Sequence, residues 1–296
     1  MSVMTMAYHV PVLTNEVIEG LQVEDGGSYI DCNVGEGGHS RAILEASSPG
    51  GRLLGIDLDP QALETAEENL RAFRDLIVLT NDNFSNLSRI AKEQGLDSVD
   101  GILFDLGLSS LQLEGGSRGF SFRADEPLDM RFDPRQEVTA WEIINHYSEE
   151  DITRIISAYG EERRADRIAR EIVESRPIDT SLQLARVVSR AIRRPWGRTH
   201  PATRTFQAIR VEVNRELENL GIALKQSIPL LKRGGRLVII CYHSLEDRLV
   251  KNFFRQESRE VKSIRLINKK IISPSHEEVR TNHRSRSARM RVAERI

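Results

Sequence analysis

Residues 29–40 read Tyr-Ile-Asp-Cys-Asn-Val-Gly-Glu-Gly-Gly-His-Ser, an apolar run closed by Asp31, then a turn built on Gly35, Gly37 and Gly38, then His39 and Ser40 at the start of a helical pattern. Glycines at such a turn let the backbone approach a ligand with no Cβ in the way. A second apolar run, from Arg52 to Ile56, ends in Asp57, 22 residues beyond Gly35. An acid about 20 residues past a glycine turn is placed to accept hydrogen bonds from ribose hydroxyls. The two features together point to a ligand that carries an adenosine group.

Ser40 stands where the dinucleotide fingerprint has Gly or Ala, and no lysine-bearing phosphate loop is present. A nicotinamide dinucleotide and a nucleoside triphosphate are therefore disfavoured. Asp31 would repel a pyrophosphate, yet it suits a ligand with an ammonium or sulfonium charge. S-adenosylmethionine (SAM) has that charge and two ribose hydroxyls for Asp57. On these residues the chain resembles class I SAM-dependent methyltransferases.

The elements that must hold these residues alternate. Runs at 29–32, 52–57, 76–80 and 101–105 read as strands, and helical segments at 40–45, 61–73 and 84–94 lie between them. Asp59-Pro60 is a good helix start, a capping acid followed by a proline in the first turn. Alternation of this kind predicts a parallel sheet flanked by helices. Its ligand site lies at the carboxyl ends of the strands, where Asp31, Asp57 and Asp105 all fall. The pattern breaks over 113–133, a stretch rich in Gly, Arg, Asp and Phe that reads as a long functional loop. Helical spacing returns at 139–146, 149–159, 162–175 and 181–192, with apolar residues such as Ile152, Ile155, Ile156 and Tyr159 reading as packing. One further helix is expected near 203–231, stopped by Lys232-Arg233-Gly234-Gly235. A strand at 236–243 then resumes the sheet. The expected fold is α/β, a Rossmann-like class I methyltransferase sheet with an inserted all-helical domain. Residues 1–112 and 214–296 form the catalytic domain, and 113–213 form a helical domain that recognises the substrate. Segment 260–296 is left open between completing the sheet and forming a basic tail.

The chain has 296 residues, 39% of them hydrophobic, and 20 glycines, enough for a sizeable core. No apolar run reaches the ~18 residues of a membrane span, and the N-terminal residues do not read as a signal peptide. Cys32 and Cys241 are the only cysteines, each in an apolar run, and read as buried thiols in a reducing cytoplasm. The net charge of −2 conceals an asymmetry. Residues 1–185 hold 16 basic and 34 acidic side chains, whereas 186–215 hold 8 arginines against Glu212 alone. Residues 232–296 hold 17 basic against 7 acidic side chains. Two basic stretches after an acidic half suit a phosphate backbone.

Several longer words resemble one family. They are Tyr8-His-Val-Pro-Val-Leu13, Asp31 with Gly35-Glu-Gly-Gly-His-Ser40, Asp105-Leu-Gly-Leu-Ser-Ser110, Arg118-Gly-Phe-Ser-Phe122, Pro127-Leu-Asp-Met-Arg131, His200-Pro-Ala-Thr-Arg-Thr-Phe-Gln207, His243-Ser-Leu-Glu-Asp-Arg248 and Arg286-Ser-Ala-Arg-Met-Arg291. Together they resemble the RsmH (MraW) family from about residue 8 onward. The resemblance implies SAM-dependent methylation of the N4 atom of a cytidine in the decoding region of bacterial 16S rRNA. The implied partner is that rRNA in the small ribosomal subunit, with no membrane; the oligomeric state is left open, a homodimer included. Carried over by position, the cofactor contacts fall on Gly37, Gly38, His39, Asp57, Phe84, Asp105 and Gln112. No second His or Cys stands at ligand spacing from His39, so no metal site is expected.

Cytosine N4 is a poor nucleophile because its lone pair is delocalised into the ring. An acceptor bonded to its hydrogens would orient that lone pair, and Asp105 with the Leu106–Ser110 backbone, Ser109 among them, is the candidate. His243, at a strand end, is a third catalytic candidate, weighed against a helix start capped by Ser244 with Asp247 three residues on. The proline-aromatic motif of DNA amino-methyltransferases is absent, which leaves Phe120, Phe122, Trp196 and Tyr242 as rings that could stack on the base. Arg193, Arg194, Arg198 and Arg204 are expected to bind RNA phosphates, with the target base drawn out of its stack. The rival readings are a dehydrogenase, a SAM enzyme acting on DNA or protein, and a non-catalytic RNA-binding assembly factor that retained the fold.

Overall fold

The computed structural model describes residues 11–115, 117–192 and 200–296. In chain order the first elements are α1 (Thr14–Leu21), β1 (Ser28–Asp31), α2 (Gly38–Ala46), β2 (Arg52–Asp57), α3 (Pro60–Asn69), β3 (Ile77–Asn81), α4 (Leu87–Glu93) and β4 (Val99–Asp105). The helices α5 (Ala140–His146), α6 (Glu149–Gly160), α7 (Ala165–Glu174), α8 (Ser181–Ile192) and α9 (Thr203–Asn214) follow. The chain closes with α10 (Glu216–Leu230), β5 (Leu231–Cys241), α11 (Ser244–Gln256), β6 (Ile264–Leu266), α12 (His276–Thr281) and β7 (Arg289–Arg295). Two compact units result, Met1–Ser109 with Leu217–Ile296, and Ser110–Glu216.

The first unit is built on a seven-stranded sheet in the order β3-β2-β1-β4-β5-β7-β6. Strands β1 to β5 are parallel, and β7 runs antiparallel between β5 and β6. Side chains alternate across it, as the two-residue period of a strand requires. Ile30, Ile102, Phe104, Leu237 and Ile239 join a core with Leu87, Ile90, Leu224 and Phe254. Tyr29, Leu103, Val238 and Ile240 join a core on the other side with Val17, Leu21, Ile43 and Ala66. Both faces are thus covered, which is why these strands read as near-continuous apolar runs. Segment 260–296 supplies β6, α12 and β7, so it completes the sheet. Arg291 Nε lies 2.7 Å from Asp247 Oδ1, tying β7 to α11, and Arg236 pairs with Glu294 at 2.9 Å across β5 and β7.

The second unit's described elements are helices and a short π-helical turn at Leu111–Gly115. Its core buries Ile152, Ile155 and Ile156 of α6, Ile168 and Ile172 of α7, and Phe206 and Ile209 of α9. The segment expected as a loop over 113–133 is held by its own contacts. Met130 N donates to Arg118 O at 2.8 Å, Arg131 forms a two-pronged pair with Asp129, and the Phe120 and Phe132 rings stack 5.5 Å apart. The single helix expected over 203–231 is two helices. Arg215 takes a left-handed φ of 48° and ends α9 before α10 begins.

Candidate active site

Order along the sheet reverses between β1 and β4, and the crevice outside the carboxyl ends of those strands is where ligands bind in open α/β sheets. Asp31 closes β1 and Asp105 closes β4, with Asp31 in register with Leu103, so Asp105 extends two residues beyond it. Asp57 closes β2 beside them.

The glycine turn is shaped by Gly35 and Gly37, with φ of 55° and 89°, values that cost any other residue strain. Gly37 is the N-cap of α2 and its amide donates to Val34 O at 2.8 Å. Asp57 is built into this turn. Its Oδ2 accepts from the Gly35 amide at 2.8 Å and its Oδ1 from the Asp59 amide at 2.9 Å. Each oxygen keeps a free lone-pair direction, the number a ribose diol needs. Burial, with Asp59 and Asp31 as acidic neighbours, pushes its carboxyl up to about 6 despite those two bonds. A Cβ built on Gly35 would meet only Ser109 Cβ, at 3.9 Å, so the turn faces open space towards Ser109. These features fit the adenosine-bearing ligand expected from the sequence.

Asp31 does not face that space. It is fully buried, and its carboxylate accepts from Ser40 Oγ at 2.7 Å and from the Asn33 amide at 3.2 Å. The expectation that Asp31 meets a cationic group directly is corrected: it holds the turn from beneath. The same bond explains Ser40 where a dinucleotide fingerprint would have Gly or Ala.

His39 is 5% exposed in the first turn of α2. Its Nε2 lies 3.4 Å from Asp105 Oδ2, an ion-pair distance without the alignment of a hydrogen bond, and both ring nitrogens lack a hydrogen-bond partner. Burial alone would depress its ring, but Asp105, Asp31 and Glu278 outweigh burial and hold it above its ordinary value. Asp105 receives a second neighbour that sequence reasoning missed: Tyr242 donates its hydroxyl to Oδ1 at 2.8 Å. Residues 137 positions apart carry no local signal of such a pair.

Phe84 opens a short 3-10 turn after β3, and its ring packs edge-on against Phe104 at 5.6 Å. His243 is itself the N-cap of α11. Its ring accepts from the Glu246 amide and the Glu246 carboxylate answers at the His243 amide, a capping box one residue earlier than the Ser244 and Asp247 spacing suggested. Gln112 lies in the second unit's π-helical turn, 7% exposed. Arg204 begins α9 and lines a groove of about 580 Å3 in that unit with Arg163 and Arg164, while also bonding Glu161 O at 3.2 Å and lying 3.5 Å from Glu162. Arg193, Arg194, Trp196 and Arg198 lie outside the described residues. Among the stacking candidates, Phe120 is 7% exposed against Phe132, and Phe122 sits between His200 and Phe206. Both thiols are free and buried, as expected.

An antiparallel β7 between β5 and β6 separates this sheet from a dinucleotide-binding one, which continues with a sixth strand beyond the fifth. With the turn and strand-end acids described above, the fold is that of a class I SAM-dependent methyltransferase. Residues 6–296 match the MraW methylase family, and the chain belongs to it. Ribosomal RNA small subunit methyltransferase H of Dehalococcoides mccartyi strain BAV1 is 52% identical over 97% of this chain and 86% of its own length. The protein of the same name from Thermotoga neapolitana is 51% identical over 97% of this chain and 96% of its own. Among solved structures, an rRNA methylase from Streptococcus thermophilus is 11% identical, with a TM-score of 0.46 over 97% of this chain and 99% of that one.

Proposed function

We propose that this protein uses SAM to methylate the N4 atom of a specific cytidine in the decoding region of 16S rRNA. The observation that carries the reading is family membership over residues 6–296, shared with relatives about half identical that are named small-subunit rRNA methyltransferases. Gly37, Gly38, His39 and Asp57 hold the cofactor, with Asp57 on the ribose; Phe84, in the same unit, completes its contacts. The cofactor supplies a methyl group made electrophilic by its sulfonium. The chain's task is then to present the amine. Asp105 accepts a hydrogen bond from an N4 hydrogen, which turns the nitrogen lone pair towards the methyl carbon, and the Leu106–Ser109 backbone sets the plane of the base. In-line placement of this kind supplies much of the acceleration in a two-substrate transfer. The helical unit 110–216 recognises RNA, with Arg204 and the basic run 193–198 on phosphates. The target cytidine reaches the site unstacked, since an N4 atom inside a helix is out of reach. The reaction belongs in the cytoplasm with the ribosome; no helix among the described residues is long and apolar enough to cross a membrane.

The test is transfer from labelled SAM to small subunits purified from cells that lack the enzyme, followed by nucleoside mass spectrometry. N4-methylcytidine, absent with Asp105→Ala, is the expected product. Binding of SAM without transfer to subunits or naked RNA would refute the substrate assignment.

A further inference from the structure

Tyr242 follows β5 directly and is fixed at three points. Its amide donates to Glu246 Oε2 at 2.8 Å, and Glu246 is 2% exposed and locked in the capping box of α11. Its ring lies on the Asp105-Leu106-Gly107 turn so closely that a Cβ on Gly107 would stand 2.8 Å from Cε2 and 3.0 Å from Cζ. Its hydroxyl ends on Asp105 Oδ1. A side chain held at both ends with one edge packed against a glycine has little rotamer freedom to lose or use. Burial, then the charge of Asp105, push the phenol well above its ordinary value, so it stays a donor throughout the working pH range. The bond takes one lone-pair direction of Oδ1 and fixes the carboxylate with Oδ2 on the side of His39.

We propose that Tyr242 is a positioning residue: it clamps the Asp105 carboxylate and the Leu106–Ser109 turn so that one fixed oxygen meets the amine to be methylated. The proposal rests on the reading of Asp105 as the amine's acceptor. It replaces base stacking as the role of this ring, because the hydroxyl is committed to Asp105 and one edge is packed on Gly107. Positioning to within a fraction of an ångström matters where in-line geometry supplies the rate.

Four variants of the protein test it: Tyr242→Phe, Asp105→Asn, the two combined, and Gly107→Ala as a second way to displace the ring while keeping the hydroxyl. The measurements are kcat and KM on small subunits lacking the modification, Kd for S-adenosylhomocysteine by calorimetry, and melting temperature. Tyr242→Phe is expected to lower kcat about tenfold while KM and Kd stay within about twofold. In the Asp105→Asn background it should add less than about twofold, because residues that act as one unit do not add. Gly107→Ala should reproduce the kcat loss. A Tyr242→Phe enzyme with the original kcat overturns the proposal, and so does a loss that multiplies with that of Asp105→Asn. Should Tyr242→Phe fail to fold, Gly107→Ala decides: unaltered kcat overturns the clamp. An Asp105→Asn enzyme with full kcat would instead overturn the reading of Asp105 itself.

Discussion

Asp57 has a titration that should be visible in ligand binding. In the folded protein its carboxyl is pushed up to about 6, by burial first. Ribose hydroxyls donate to the ionised form, so binding requires Asp57 to lose its proton. The affinity is full well above pH 6, about halved at that value and lost as the pH falls below it. At pH 5 about one Asp57 in eleven is ionised, so the apparent Kd should rise about tenfold relative to pH 7.5, or about 1.4 kcal/mol. The stability of the free protein moves in the opposite direction. A folded value above the ordinary carboxyl value contributes stability that is present below pH 4 and lost as the pH rises through 6, about 3 kcal/mol in all. Calorimetric titration of S-adenosylhomocysteine from pH 5 to 7.5 measures the first effect, in two buffers of different ionisation enthalpy to count the protons released. The uncharged sulfur of that ligand removes the sulfonium from the comparison. Asp57→Asn should bind several-fold more weakly at pH 7.5 and lose the step centred near pH 6, keeping only the dependence that His39 contributes. A wild-type Kd constant within twofold across the range, or the same slope in Asp57→Asn, would refute the assignment of Asp57 to the ribose.

Three further outcomes are expected. Gly37→Ala forces φ of 89° on a residue with a Cβ and drives that Cβ to 3.0 Å from Leu70, itself 1% exposed, so urea unfolding should show a loss of about 1–3 kcal/mol. Arg291→Ala removes the 2.7 Å pair with Asp247, whose side chain is 15% exposed, and should cost about 1–3 kcal/mol by the same assay; no loss would mean that β7 does not depend on this tie. Replacing Arg193, Arg194, Arg198 and Arg204 together by Ala should weaken RNA binding and flatten its salt dependence, by about 0.7 in the log–log slope for each phosphate that is no longer neutralised. Filter binding from low to high salt measures both. Unchanged affinity and slope would remove the basic run from the interface.

What the sequence determined by itself is what local physics encodes. Strand ends at Asp31, Asp57 and Asp105 were legible because buried parallel strands are apolar runs, and an acid that ends such a run stands out. The start of α3 was legible because Asp59 caps it and Pro60 fits its first turn, both within three residues. The turn at Gly35 and Gly37 was legible because only glycine takes those backbone angles without strain. The break after α9 was hidden because Arg215 adopts a left-handed conformation with no glycine to announce it. The cap of α11 lies one residue before the Ser244 that its sequence favours, because His is an uncommon capping side chain. The C-terminal segment could not be assigned from its own basic pattern. Its strands exist because β5 offers an edge with which β7 pairs antiparallel, a fact set by residues some 50 positions earlier. Tertiary structure alone decided the surroundings of the acids. Asp31 turned inward to Ser40, Asp57 was tied to Gly35, and Asp105 was given His39 on one oxygen and Tyr242 on the other. Those partners come from separate strands and helices, and only folding brings them within hydrogen-bond or ion-pair reach, where burial fixes which carboxylate keeps its charge and which atom it presents.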